Sequence, residues 1–390
     1  RPTGEYAFSN CKALTSLPEL PRLNSIGSSA FADCTALTSV GNLTNVTTLG
    51  TCAFNSCKAL KTIGDLSKVT SIGYSTFGFC TALESVGNMS SVTSIDSYAF
   101  EGCSSLVRVG NMSNVESIDS NGFVNCSALE HVDELDKITS IGQNAFKGCT
   151  ALKSIGSLHN LETIGQGAFS GCSALEHVDD LYSLTRLEYD VFSHCVSLIS
   201  VDCSDKLTAI GSSAFFGCKA LVSIGDLSNV TSIESSVFRG CIALKSIGNM
   251  PKLESIGMQC FMGCTALETV GDLSSLKEIP SETFDGCTSL VSIGDLSNVT
   301  IIGSYGFNQC KKLTSIPNLG SLERVDQFAF SGCESLALLG NLRKLTSFGY
   351  SPFVNSPFHN CPNLVLEVLP DSAAEQYAKD YNMQYTYITE

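Results

Sequence analysis

Apolar side chains recur along this chain at every third residue, in a pattern that itself repeats every 23 residues. The stretch 215–237, FFGCKALVSIGDLSNVTSIESSV, is followed by Phe238, which begins the same pattern again. Phenylalanine starts each copy from Phe8 to Phe353 without one insertion. We call each copy a coil and number its positions from this phenylalanine. Self-similarity at a period of about 20 to 50 residues is typical of a solenoid, so the chain is predicted to be one small unit repeated.

The apolar positions within a coil are 1, 4, 7, 10, 13, 16 and 19. An even spacing of three fits neither a long strand, which alternates, nor an amphipathic helix, which spaces apolar residues by three and four. It predicts a mainly β repeat solenoid in which short strands, such as 221–224 and 230–233, stack in parallel on their copies. Gly225 is expected to turn the chain at positive φ together with Asp226. The segment 211–218 is predicted to be a helical or 3₁₀ corner.

Small and polar residues also recur at fixed positions. Cysteine fills position 4 of every coil from Cys11 to Cys333, and because stacked side chains run parallel, we expect free, buried thiols rather than disulfides. Away from this column, Cys260 is expected to be buried and Cys52 to be exposed. Asn or Asp at position 12 is expected to close the turn or to bond the next coil rather than to hold a row of calcium ions. Glu and Lys interrupt the threonines of position 17, which argues against an ice-binding face.

The ends of the chain depart from the repeat. Residues 1–7 match the end of a coil, 8–352 form fifteen coils, and 353–390 are predicted to form an irregular last coil and a C-terminal cap. In that last coil, Phe358 and Cys361 restore the spacing of positions 1 and 4 five residues late. The chain is therefore expected to consist of a truncated coil, a long array and a cap.

The cap contains signals for two strands and one helix. Residues 364–369 and 384–389 have the composition of strands, and Ser372 and Glu375 have the spacing of a capping box. The apolar stripe of the predicted helix is Ala374, Tyr377, Ala378 and Tyr381. Such a cap is expected to cover the apolar end of the stack and to prevent association between sheet edges.

Composition excludes several classes of function. The chain has 38 acidic and 23 basic residues and a net charge of −15. Nucleic acid and anionic membranes require clustered Lys and Arg, so neither is an expected partner. No apolar run approaches the roughly 18 residues needed to cross a bilayer, so membrane insertion is not expected. The motifs of serine hydrolases, phosphate-binding loops and Cys-x-x-Cys pairs do not occur. We therefore predict no enzyme, no catalytic residue and no cofactor.

One pair of coils departs most from the repeat, because it combines imidazoles and carboxylates next to a predicted strand. The two sets of residues are Glu130, His131 and Asp133, and Glu176, His177 and Asp179. The histidines lie two coils apart, roughly 10 Å at the spacing of stacked strands, which is too far to share a metal ion. Duplication of a two-coil block explains the likeness as well. No metal site is predicted, and these six residues are the predicted partner contact.

The recurring pattern Ile-Gly-x-x-Ala-Phe-x-x-Cys-x-x-Leu-x-x-Ile/Val, as in residues 26–40, resembles the BspA-type (Treponema-type) leucine-rich repeats. The tail 368–377 is similar to the usual ending of that family. The resemblance covers almost the whole chain and implies a right-handed, gently curved leucine-rich-repeat superhelix. It also implies a surface or secreted protein of a host-associated bacterium or a protist, since the characterised members are adhesins. The chain departs from the family where Ile-Pro or Leu-Pro is common at positions 12 and 13.

These observations together predict a non-enzymatic, monomeric binding protein at the cell surface or in secretions. Its stacked-strand face is expected to engage a protein or glycan of a host matrix or a neighbouring cell. A leader is expected upstream of Arg1, because the chain begins inside a coil. A structural spacer in a larger protein and an intracellular scaffold are the alternatives, and free thiols fit the reducing compartment of a scaffold.

Overall fold

The computed structural model describes residues 2–349 and 356–389, and these form two compact units. The first unit comprises Arg1–Leu184 and Glu188–Asp202, and the second comprises Thr185–Leu187 and Cys203–Glu390. Each unit is a parallel β-solenoid with up to two short strands per coil, which confirms the predicted fold class. The predicted array boundary at residues 352 and 353 lies outside the described residues.

In the first unit, the first strand of a coil occupies positions 9 and 10, and the second strand occupies positions 18 and 19. A polar side chain alternates with an apolar one, so most strands place Ser or Thr outward and Ile, Val or Leu inward. The first strands are Thr62–Ile63, Ser85–Val86, His131–Val132, Ser154–Ile155 and His177–Leu181. The second strands are Ser25–Ile26, Thr48–Leu49, Ser71–Ile72, Ser94–Ile95, Ser117–Ile118, Ser140–Ile141 and Thr163–Ile164.

The second unit follows the same plan. Its first strands are Ser223–Ile224, Ser246–Ile247, Thr269–Val270, Ser292–Ile293, Ser315–Ile316 and Leu338–Leu339. Its second strands are Arg186–Leu187, Ala209–Ile210, Ser232–Ile233, Ser255–Ile256, Glu278–Ile279, Ile301–Ile302, Arg324–Val325 and Ser347–Phe348. The chain passes from the first unit to the second within the strand Ser200–Cys203.

Equivalent strands of neighbouring coils pair in parallel and in register. In the first unit, the second strands from Ser71–Ile72 to Thr163–Ile164 form a five-stranded sheet. In the second unit, Arg186–Leu187 begins a sheet of four second strands, and Glu278–Ile279 begins another. Each coil therefore buries its apolar residues only by stacking on its neighbours, as in other repeat proteins.

Phenylalanine and cysteine columns fill the interior of each unit. In the first unit, successive rings of position 1 have centroids 4.9 to 5.7 Å apart and planes within 16° of parallel. Most column thiols bond the preceding coil, as when Cys149 Sγ donates to the carbonyl oxygen of Phe123 at 3.2 Å. All nineteen cysteines are free, which confirms the prediction for this column. Burial raises the pKa of the Cys103 thiol to about 12.

The burial of two cysteines outside this column was also predicted from the sequence. Cys260 is fully buried, as predicted. Cys52 is half-buried, so its predicted exposure is wrong. Its N–H donates to the carbonyl oxygen of Tyr74 in the next coil at 2.9 Å, and this contact packs adjacent corners together. Burial raises the pKa of Cys52 as well.

The corner of each coil is a series of turns, so the predicted helical or 3₁₀ corner is wrong. The N–H of Ala214 donates to the carbonyl oxygen of Gly211 at 3.2 Å, as a 3₁₀ turn would require. Ser213, however, has a φ of 57°, which interrupts any right-handed helix. The N–H of Phe215 then donates to Val237 in the next coil at 3.0 Å. Bonds within a coil thus alternate with bonds between coils.

The glycines of position 11 also differ from their prediction. Gly225 is not among the residues with positive φ, so that expectation is wrong. A Cβ atom on Gly87 would lie 2.7 Å from the carbonyl carbon of Gly64, and one on Gly225 would overlap the backbone of Cys203. Close approach of neighbouring coils therefore favours glycine at Gly87 and Gly225, whereas a Cβ atom on Gly248 at the same position would meet nothing within 4 Å.

The polar columns serve the backbone, as predicted. Asp226 Oδ1 accepts a hydrogen bond from the N–H of Ser228 at 2.8 Å, which closes an Asx turn. The same bond recurs at Asn42, Asp65, Asn88, Asn111, Asp272, Asp295 and Asn318. At position 17, Thr231 Oγ1 donates to the carbonyl oxygen of Thr208 in the preceding coil at 3.2 Å. These oxygens are therefore committed to coil construction.

The C-terminal segment ends the second unit. Cys361 Sγ donates to the carbonyl oxygen of Phe330 at 3.0 Å, and the ring of Phe358 lies 6.0 Å from that of Phe330. The predicted restoration of spacing is thus confirmed. The strand Val365–Val368 pairs in parallel with both Leu338–Leu339 and Gln384–Tyr387.

The helix Ala373–Asp380 begins after the predicted N-cap residue Ser372, whose hydroxyl accepts from the N–H of Glu375 at 3.1 Å. The Glu375 carboxylate accepts from Lys379 at 2.8 Å and from the Tyr387 hydroxyl at 2.6 Å. These two bonds lower the pKa of Glu375 to about 2. The cap is therefore fixed to the last strand by charge-assisted hydrogen bonds.

Candidate binding surface

The six predicted contact residues lie on or directly next to first strands of the first unit. His131 begins the strand His131–Val132 and is in register with Ser154 of the next coil. His177 begins the strand His177–Leu181. Both histidines are exposed whereas the valines that follow them are buried, because successive side chains of a strand point to opposite faces. The same alternation that builds the core therefore presents the imidazoles to solvent.

Each histidine bonds a serine of the following coil. His131 Nδ1 lies 2.8 Å from Ser154 Oγ, and His177 Nδ1 lies 2.9 Å from Ser200 Oγ. Lys153 Nζ bonds Glu130 Oε2 at 3.1 Å. The coil that carries Lys153 and Ser154 therefore separates the two predicted sets. The structure orders each imidazole on a serine and keeps the two sets as separate clusters on one face.

The cluster at His131 has the residue types of a hydrolase triad but not its geometry. His131 Nε2 lies 3.9 Å from Glu130 Oε2, beyond hydrogen-bond distance. The side chains of His131 and Glu130 are 48% and 42% exposed, so water has free access to both. A triad requires a base that is fixed by its acid in a site shielded from water. This arrangement therefore lacks the geometry of a triad.

Tyr182 extends the second set and was missed by the sequence analysis. It is 44% exposed and follows the strand that carries His177 and Asp179. Partial burial, followed by the carboxylates of Asp202 and Asp180, raises the pKa of Tyr182. The available signal was a tyrosine at position 14, where serine is the commonest residue. The ring adds an aromatic contact to a polar surface, and tyrosine is favoured at interfaces for its apolar body and polar tip.

Metal binding finds no support in the described part of the chain. Residues 2–349 and 356–389 contain no group of three or more His, Cys, Asp or Glu side chains placed to hold an ion. In those same residues, no helix has both the length and the apolar character needed to cross a membrane.

The family follows from the repeat itself. The model of the BspA type leucine rich repeat region, in six copies, matches residues 2–130, 83–199, 116–245 and 254–368. The chain belongs to this family. Leucine-rich-repeat solenoids are typically binding scaffolds rather than enzymes, and they generally bind proteins through their extended surfaces.

Two solved structures show how the chain compares with known members. A leucine-rich repeat protein from Bacteroides ovatus is 28% identical, with a TM-score of 0.74 and 88% of each chain covered. A leucine rich cell surface protein from Faecalibacterium prausnitzii is 32% identical, with a TM-score of 0.49, over 75% of this chain and 82% of that chain. No curated protein matches the sequence. The first of these likenesses supports the solenoid fold.

Proposed function

We propose that the chain is a monomeric, non-catalytic binding protein that is displayed at the cell surface or secreted. Its strand face engages a protein or glycan of a host matrix or a neighbouring cell. The observation that carries this proposal is the pair of exposed histidine clusters on the first strands of the first unit. Family membership supports the location, because the resemblance implies surface or secreted proteins.

The clusters have the chemistry of a contact surface. Hydrogen bonds with Ser154 and Ser200 occupy Nδ1 of the two imidazoles, which leaves their Nε2 atoms for a partner. Glu176, Asp133 and Asp179 are exposed, so they offer carboxylate acceptors on the same face. Weak, equivalent contacts on a repeated face add through multivalency. A partner with basic groups opposite this face is favoured by charge complementarity.

Binding to a panel of immobilised matrix proteins and glycans tests this proposal. We expect capture of the chain by at least one of them. Replacing Glu130, His131, Glu176 and His177 together with Gln, Asn, Gln and Asn should weaken capture about tenfold or more. The control is Lys245→Gln with Glu268→Gln, two replacements at the same first-strand border in the second unit. Equal binding by both variants would contradict the role of the clusters, and no capture by any surface would contradict the adhesive function.

A structural spacer in a larger protein is a second candidate. The observation that favours it is the uninterrupted repeat, because fifteen coils without an insertion give a constant advance per coil. Deleting two whole coils should then leave the binding of an attached domain unchanged and shorten its reach by roughly 10 Å. Loss of partner binding after this deletion would favour the binding surface instead.

A further inference from the structure

The outward-facing positions of the coil differ in how much they vary. Positions 9 and 18, on the two strands, are Ser or Thr in 11 and 10 of the fifteen coils. Position 2 instead holds eleven residue types, and position 22 holds nine. Positions 2 and 22 lie in the corner, on either side of the buried phenylalanine. Residues that build the coil must repeat from coil to coil. Because positions 2 and 22 vary, their side chains form a surface with a role other than building the coil.

In the second unit the corner carries large side chains on consecutive coils. We define the corner patch by Phe216, Arg239, Met258, Met262, Tyr305 and Phe328. In the first unit, the corresponding corner positions include small or polar residues such as Asn121, Asn144, Gly167 and Ser170. Met258 has 55% of its surface exposed, which is a high value for an apolar side chain in this chain. The first unit also has large corner side chains, since Tyr74 and Tyr98 lie there with ring centroids 5.5 Å apart, so bulk at the corner is not confined to the second unit.

Contacts link members of the corner patch in two groups. The guanidinium carbon of Arg239 lies 5.6 Å from the ring centroid of Phe216, and Arg239 Nη1 donates to Gln259 Oε1 at 2.8 Å. Gln259 Nε2 donates in turn to Glu282 Oε2 at 2.8 Å. One coil further, the rings of Tyr305 and Phe328 stack at 5.1 Å. From Phe216 to Phe328 the patch covers nearly five periods of 23 residues, or about 23 Å at the spacing of stacked strands.

The backbone holds these side chains at a conformational cost. Tyr305 and Phe328 have φ values of 59° and 56°, in the left-handed region where bulky residues are uncommon. Tyr98 at position 22 of the first unit shares this conformation, with a φ of 62°, whereas the glycine and asparagines at that position suit it far better. Strain of this kind clusters at binding sites, where the surrounding structure maintains it. Tyr305 and Phe328 are thus held half-buried at the surface against backbone preference, and Met258 is exposed.

We propose that the corner patch is a protein-recognition surface that binds an apolar segment of a partner flanked by Lys or Arg. Aromatic residues, Met and Arg are the residue types enriched at protein interfaces. Met adapts its shape to varied partners. Glu282 and Asp285 border the patch, and the chain has a net charge of −15, so a basic segment is complementary. This inference rests on the proposed binding function but uses the other unit and a different face.

Selection of linear peptides displayed on phage against the full chain tests the proposal. The recovered peptides are synthesised, and their dissociation constants are measured by calorimetry. We expect convergence on sequences with Lys or Arg beside Leu, Phe or Met. The triple variant Phe216→Ser, Met262→Ser and Tyr305→Asn should weaken these peptides at least about tenfold. Each replacement occurs at the same position of another coil, as in Ser193, Ser170 and Asn121, so the coils are expected to fold.

Two controls separate this surface from the histidine clusters. Lys147→Ala changes an exposed position 2 residue of the first unit and should alter peptide affinity by less than about twofold. The fourfold variant of Glu130, His131, Glu176 and His177 should likewise leave the peptides bound. Loss of matrix capture together with retained peptide binding would locate two distinct surfaces.

Four results would overturn the inference. Peptides that bind the triple variant as tightly as the unaltered chain would place their site elsewhere. Convergence on acidic peptides would contradict the charge argument. Enrichment of no peptide, or binding of neutral oligosaccharides that depends on Tyr305 while no peptide binds, would show that the corner patch does not recognise proteins. A melting curve of the triple variant that matches that of the unaltered chain confirms that any loss reflects the surface.

Discussion

The interior of the first unit and the corner of the second unit place opposite demands on the sequence. In the interior, Phe123, Phe146 and Phe169 stack with centroids 5.3 Å apart and are fully buried, so the same ring must recur. In the corner, Phe216 and Arg239 occupy the next position of their coils and differ completely. Adjacent positions of one coil are thus constrained differently. The identity of position 1 is fixed by packing, and the identity of position 2 is free to change.

The difference shows where information about partners is stored in a repeat protein. A coil can be copied only if its interior and its close backbone contacts are unchanged, because every coil packs on both neighbours. Substitutions then accumulate where a side chain contacts solvent. The most variable corner position is therefore a better guide to recognition than any recurring residue.

Removing one stacked ring gives the largest expected effect. Phe146→Ala should lower the free energy of unfolding by about 3 to 5 kcal/mol, because it deletes a buried ring between two others. Urea denaturation followed by circular dichroism measures this loss. The matched control is Lys147→Ala at the next position, with an expected change within about 0.5 kcal/mol. A loss at Phe146 no larger than that of the control would break the distinction between the two regions.

Adding a methyl group where coils approach closely gives an intermediate effect. A Cβ atom on Gly294 would overlap the carbonyl of Gly271, whereas one on Gly248 would meet nothing within 4 Å. Both glycines occupy position 11. Gly294→Ala should therefore lower the free energy of unfolding by about 1 to 3 kcal/mol. Gly248→Ala should raise it by about 0.4 to 1 kcal/mol, since alanine restricts the unfolded chain. Equal effects in urea titrations would refute close approach as the reason for glycine.

The smallest expected effect tests the corner backbone. Ser236 has a φ of 59°, so Ser236→Gly should raise the free energy of unfolding by roughly 0.5 kcal/mol. Ser232 lies in a strand, and Ser232→Gly should lower it by about 0.5 to 1 kcal/mol. Thermal melts of the two variants should shift in opposite directions. Shifts of the same sign would show that the corner is not strained.

The period made most of the fold predictable from the sequence. The spacing of Phe, Cys and Leu specifies how a coil closes, and the Ser-Ile pairs at 223–224 and 232–233 lie within the predicted strands. The corner was harder to predict from the sequence, because a 3₁₀ helix and a series of turns both contain the hydrogen bond from the N–H of Ala214 to the carbonyl oxygen of Gly211. Only the positive φ of Ser213 distinguishes the turns from a helix, and a serine in the sequence does not predict a positive φ.

The surfaces were predictable in part. The histidine clusters were predicted from the sequence because two coils share an unusual pattern of residues. The structure adds the hydrogen bonds with Ser154 and Ser200. Tyr182 was missed because position 14 varies without an obvious pattern. The corner patch was missed because its members are spread over residues 216–328 and come together only when the coils stack.

The thiol column places a constraint on how the chain is made. Folding shields sixteen of the nineteen cysteines, since only Cys11, Cys52 and Cys361 are half-buried. An unfolded chain exposes all nineteen thiols to oxidants, which can convert pairs of them into disulfides. The parallel cysteine side chains of the folded column cannot accommodate such disulfides. Folding must therefore be faster than oxidation of the thiols, because a chain that is oxidised first is prevented from forming its coils.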